Sequence, residues 1–197
     1  MKRIFLCLWL LSTAFTEARA MPSKSSALPP GSVLEADFTQ YRHLNGIHKP
    51  IKSEGHMILW DGKGLAWTTI SPFPNAILIT TKGLYQLQNR VKTPMVKGGG
   101  DRAMFDVMAG IFNVTDAQQI KGFVIQHLPP GNYQWRLRLH PQHEQVRNLI
   151  SSITLEGDLQ IRHITIYRSN GDHDEIDIKN HAIKESVSLE MKEIFDE

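Results

Sequence analysis

Metal binding is the first chemistry the sequence invites, because nine of its 197 residues are histidine. His140 and His143 stand three apart, but Pro141 between them argues for a turn, and no thiolate or third ligand accompanies them. They read as surface histidines. Asp172, His173, Asp174 and Glu175 crowd one hairpin edge, where a solvated turn is the default reading and cation binding the alternative. Gly98 to Gly100 lack the Lys-Ser/Thr pair of a phosphate cradle and read as a hinge. The chain has no nucleophile elbow, dinucleotide fingerprint or His-Glu-x-x-His motif. Asn113-Val114-Thr115 matches an N-glycosylation acceptor, which matters only in a eukaryotic secretory route. No catalytic residue, cofactor or metal is therefore expected, and binding becomes the function to look for.

The start of the chain narrows the compartment. Lys2 and Arg3, an apolar stretch from Ile4 to Leu11, and Ala18-Arg19-Ala20 make a secretory signal peptide over residues 1–20, with cleavage expected after Ala20. Its apolar stretch is too short for a membrane span, which needs about 20 residues. Removing it takes three of the 22 basic and one of the 20 acidic residues, leaving 19 of each. A neutral chain has no surplus cations to neutralise phosphates, so a nucleic-acid partner is not expected. Cys7, the single cysteine, leaves with the signal, which excludes thiolate catalysis and disulfides from the mature chain. Cys7 also lies too near the start for lipid attachment, so a soluble exported product is expected, and a monomer is the default expectation.

The elements that would position a binding site are mostly strands. Met21 to Gly31 is rich in Ser and Pro and reads as a flexible linker, leaving residues 32–197 as a single domain. Strands are expected near 33–43, 54–60, 64–70, 75–81, 84–90, 122–128, 132–140, 148–157, 159–168 and 173–182. Tyr133, Trp135, Leu137 and Leu139 share one parity and Gln134, Arg136 and Arg138 the other, as in a sheet wet on one face. Asn170-Gly171 predicts a type I′ hairpin turn. Asp101 can cap a helix near 103–112, whose Met104, Phe105, Val107, Met108, Ile111 and Phe112 form a broad apolar face, and Ser186 to Phe195 can form a second. The expected fold is mainly β: a curved antiparallel sheet forming an incomplete barrel, with one or two helices covering its apolar face.

Phe38-Thr39-Gln40, Gly46, Lys49-Pro50, Ser53-x-Gly55-x-Met57, Gly62-Lys63-Gly64-Leu65-x-Trp67 and Ser71-Pro72-Phe73 occur in an order that resembles the periplasmic lipoprotein carrier LolA and its LolA-like relatives. The hairpin from Ile77 to Leu87, the helix near 103–112, Trp135-x-Leu137-x-Leu139-x-Pro141 and Asn170-Gly171-Asp172 extend the resemblance over residues 33–182. It implies a helical lid over an apolar hollow that takes up acyl chains. It also implies an inner-membrane ABC-type transporter as donor and an outer-membrane acceptor. Two departures mark a divergent branch, whose cargo is a lipoprotein, another lipid or a lipid-like pigment. Ala27-Leu28-Pro29-Pro30 stands where the family has an amphipathic helix, and Asp61-Gly62 stands where the best-known carriers have Arg-Pro, with Lys63 the nearest cation.

The residues expected to line the hollow are Phe38, Met57, Leu59, Leu65, Trp67, Ile77 and Ile79 on the sheet, with Met104, Met108, Ile111 and Phe112 from the lid. Thioether chains repack around variable shapes, which suits a carrier. Trp67 has a second reading as a packing anchor against Pro72-Phe73, and the methionines a second reading as core filler. The parity of the strands at 54–60 and 75–81 is ambiguous, since Ile58 and Leu78 are as apolar as their neighbours. Burying an acyl chain of 16 carbons at about 0.8 kcal/mol per methylene would yield on the order of 12 kcal/mol, so partial burial under a movable lid makes release feasible. The alternative function is a non-enzymatic sensor or interaction module that binds an exported protein.

Overall fold

A computed structural model describes residues 28–80, 82–89, 91–95, 111, 120 and 122–196. The signal segment, most of the linker, Gly98 to Gly100, Asn113 to Thr115 and all of the helix near 103–112 except Ile111 lie outside these residues.

Among the described residues, eleven strands form one antiparallel sheet. They are β1 (Val33–His43), β2 (Ile51–Trp60), β3 (Gly64–Ser71), β4 (Asn75–Thr80), β5 (Gly83–Gln88), β6 (Val91–Pro94), β7 (Phe123–Leu128), β8 (Trp135–Pro141), β9 (Ile150–Gly157), β10 (Ile161–Arg168) and β11 (His173–Lys184). The order β6-β5-β4-β3-β2-β1-β11-β10-β9-β8-β7 consists of two meanders joined where β1 pairs with β11. The sheet is open, an incomplete barrel whose two edges are β6 and β7. Because those strands are consecutive in sequence, the chain between them links one edge to the other. Ile111, helical and fully buried, belongs to that connection.

Alternation builds the core. Registered positions on neighbouring strands share a face, so Leu34, Ala36 and Phe38 align with Met57 and Leu59, and these with Leu65 and Trp67. On the other side Ile176 and Ile178 align with Ile164, Leu155 and Leu137. All belong to the principal core cluster, so this is the inner face. Ile111 and Ile120 belong to the same cluster, and Leu28 packs against it. The end of the expected linker is thus tied down: Gly31 N–H donates to Asp61, and Trp60 Nε1 donates to the Gly31 carbonyl.

Several expectations need correction. An eleventh strand, β6, has only four residues and ends in Pro94, too short for alternation to reveal. A single-turn helix, α1 (Glu144–Arg147), was also missed, since one turn carries no periodicity. The hairpin at Asn170-Gly171 exists, but only Gly171 has positive φ, at 91°. Gly171 N–H donates to the Arg168 carbonyl, and Arg168 N–H to the Asp172 carbonyl. That is a three-residue loop with glycine in the left-handed position, not a two-residue type I′ turn.

The largest correction concerns the last helix, α2 (Leu189–Asp196). It does not cover the main apolar face. Ile194 and Phe195 pack on the opposite, outer face against Ala66 and Leu78, with Ile58, Trp60, Tyr85 and Leu87 alongside. Both parities of β2 and β4 are apolar because each faces a separate core.

Candidate functional site

The inner face is organised around an aromatic pair that a glycine makes room for. Phe38 on β1 is registered opposite Gly55 on β2, and Trp67 on β3 opposite Met57. A Cβ at Gly55 would lie 2.6 Å from Phe38 Cζ and 2.0 Å from the Thr68 carbonyl oxygen. With no side chain there, the Phe38 ring reaches across β2 and stacks on Trp67, with centroids 3.9 Å apart and planes at 22°. Trp67 thus has Phe38 as a stacking partner, while Phe73 in the following turn is 80% exposed. Aromatic pairs add about 0.5–1.5 kcal/mol beyond area burial.

Met57, Leu59, Leu65 and Ile79 are buried in the same cluster, and Ile77, partly buried, packs against it. Registered pairing runs Leu59–Leu65–Ile79 along one row and Met57–Trp67–Ile77 along the next. All seven sheet residues singled out from sequence thus share the inner face with Ile111. Met104, Met108 and Phe112 lie outside the described residues.

The second meander repeats the device in a form the sequence reading overlooked. Trp135 on β8 is registered opposite Gly157 on β9, where a Cβ would lie 2.6 Å from Trp135 Cζ2. The indole Nε1 donates to the Asp158 carbonyl at 2.6 Å, so the ring is buried with its polar atom satisfied. A large aromatic opposite a glycine on the next strand was the available signal.

Polar groups close one end of the inner face. Asp174 shares its parity with Ile176 and Ile178 and is buried, contrary to the solvated turn expected for residues 172–175. Arg42 Nε donates to Asp174 Oδ1 at 2.7 Å, Gln40 Nε2 donates to the same oxygen at 2.9 Å, and Arg168 Nη2 donates to Oδ2 at 2.7 Å. Burial opposes ionisation of this carboxyl. Hydrogen bonds and charge from Arg42 and Arg168 outweigh it and hold the pKa below the usual carboxylate range. Lys63, the cation nearest Asp61-Gly62, is engaged at α2: its Nζ donates to Asp196 Oδ1 at 2.7 Å and lies 5.5 Å from the Trp60 ring centroid.

No protein-family model and no curated protein matches the chain. Among solved structures, it is similar to a LolA-superfamily protein from Nitrosomonas europaea at 10% identity, covering 89% of this chain and 94% of that one, with a TM-score of 0.47. A structure of the MucA/MucB complex from Pseudomonas aeruginosa aligns at 6% identity over 81% of this chain and 54% of that one, with a TM-score of 0.42. The lipoprotein LppX from Mycobacterium tuberculosis aligns at 8% identity over 81% of this chain and 90% of that one, with a TM-score of 0.37.

Proposed function

We propose that this chain is an exported periplasmic carrier that shelters acyl chains of a lipoprotein or another lipid and passes them between the inner and outer membranes, with no catalytic step. On this reading residues 1–20 are an export signal removed after Ala20 and residues 32–197 are one lipid-binding domain. An ABC-type transporter in the inner membrane is the donor and an outer-membrane protein the acceptor.

The supporting observation is the inner face itself. Apolar side chains run across it from Leu84 on β5 to Ile125 on β7, and Ile111 of the connection between the two sheet edges packs on it. Ile120, near the start of β7, belongs to the same buried cluster. Phe38, Met57, Leu59, Leu65, Trp67, Ile77, Ile79 and Ile111, with Met104, Met108 and Phe112, are the proposed contacts to acyl chains.

Mass spectrometry of lipid extracted from protein purified out of its native compartment is the direct test. Bound acyl lipid, displaced by an apolar fluorescent probe, is the expected result. A preparation free of lipid that takes up no probe would sink the proposal.

A second reading, an interaction module for an exported protein, draws on one observation. Ile47, Ile51, Ile70 and Phe73 are all exposed and cluster in sequence around the β1–β2 and β3–β4 loops, which the antiparallel register puts at one end of the sheet. Partner binding that survives removal of the partner's acyl chains would favour this reading over the first.

A further inference from the structure

We propose that His43, His173 and Glu175 form a binding site for a divalent transition-metal ion of the zinc class. The site lies on the outer face of the sheet, where β1 ends and β11 begins. Arg42 and Asp174 point inward, so strand alternation turns their neighbours His43, His173 and Glu175 outward. His43 and His173 are directly registered across the β1–β11 pair, and Glu175 follows His173 by two residues on the same face.

The spacing of the donor atoms carries the inference. His43 Nε2 lies 3.6 Å from Glu175 Oε2, and His173 Nε2 lies 3.8 Å from Glu175 Oε1. Both distances are too long for hydrogen bonds. Ligand atoms about 2.0–2.1 Å from a tetrahedral ion stand about 3.3–3.4 Å from one another, so these gaps admit an ion after a small closure. One donor atom from each of the three residues falls within a 4.8 Å cluster. His43 Nε2 is also shut off from solvent with no hydrogen-bond partner, a buried acceptor or donor that coordination would satisfy.

Two imidazoles and a carboxylate match the preference of zinc, copper and nickel, not that of calcium or magnesium. Three protein ligands leave a coordination position for water or an incoming donor. The side chains of His43 and His173 are each 32% exposed and that of Glu175 43% exposed, so the cluster borders solvent, and rotation of the His43 ring would open its buried Nε2 to an incoming ion. The imidazoles stack in parallel, centroids 4.2 Å apart and planes at 3°, with Tyr167 5.9 Å from His173. Binding therefore requires the two rings to splay about χ2, a soft torsion. An ion held here would fasten β1 to β11 directly behind the Arg42–Asp174 pair on the inner face.

Cobalt titration of chelator-treated protein tests the site, because Co²⁺ bound by three protein ligands absorbs visible light far more strongly than the hexaaquo ion. One equivalent should produce that spectrum, Zn²⁺ should displace it, and H43Q, H173Q and E175Q should each weaken binding by more than about a hundredfold, beyond the roughly 10–100-fold that an outer-shell change produces. H140Q/H143Q should leave it unchanged. If H43Q fails to fold by circular dichroism, E175Q, which alters a half-exposed carboxylate, still decides the matter. Absence of a saturable spectrum, or one that E175Q leaves intact, overturns the proposal.

Discussion

Phe38 and Trp67 touch face to face although they sit on strands that are not neighbours, because the strand between them offers Gly55 at the point of crossing. The pair ties β1 to β3 without a backbone hydrogen bond. A double-mutant cycle with Phe38→Leu and Trp67→Leu should return a coupling of about 1 kcal/mol in urea denaturation. Strict additivity would mean that the rings merely adjoin.

Gly55→Ala should destabilise the fold by about 1–3 kcal/mol, the usual cost of overpacking. Relief of the ring by a second change, Phe38→Ala, should not restore stability, because the new Cβ would still meet the Thr68 carbonyl oxygen at 2.0 Å. Thermal melts of the single and double variants check this.

Asp174→Asn removes a buried anion from two guanidinium groups and should cost about 1–3 kcal/mol at pH 7. The folded pKa of Asp174 is depressed, so its stabilisation is fully present above the unfolded value, about 3.9, and is lost as pH falls through the folded value. The difference between wild type and variant in urea denaturation should narrow from pH 5 downward. A difference constant with pH would assign the effect to packing alone.

Phe195→Ala should lower stability by about 3 kcal/mol, because its ring is buried edge-on against Trp60, with centroids 5.6 Å apart. Since α2 lies on the outer face, binding of an apolar fluorescent probe should be unchanged. Trp67→Ala should weaken it by about tenfold or more, on the proposal that Trp67 contacts acyl chains. Equal effects of the two substitutions on probe affinity would contradict a site confined to the inner face.

The sequence disclosed what alternation and turn residues encode. Trp135, Leu137 and Leu139 declared the inner face of β8, and Asn170-Gly171 declared a hairpin. What it withheld depends on partners remote in the chain. Asp174 reads as one more acid in a polar turn until Gln40, 134 positions away, and Arg42 are brought beside it. Leu78 reads as ambiguous until α2 arrives on the other side of the sheet. Turn type escaped as well, since Asn-Gly suits two loops that differ by one residue and only the hydrogen bonds to Arg168 and Asp172 distinguish them.

Among the described residues, every strand pairing except β1–β11 joins strands consecutive in sequence. Each meander can therefore assemble from strands in the order in which they are synthesised. The seam between them cannot. β1 is the first strand to appear and β11 the last, and closing a loop of that length costs on the order of 4 kcal/mol before any contact repays it. Until then β1 presents an unpaired edge lined by Leu34 and Phe38, an invitation to any other strand nearby. On the proposal that the chain is exported N-terminus first, the pairing of β1 with β11 comes last and also removes that exposed edge.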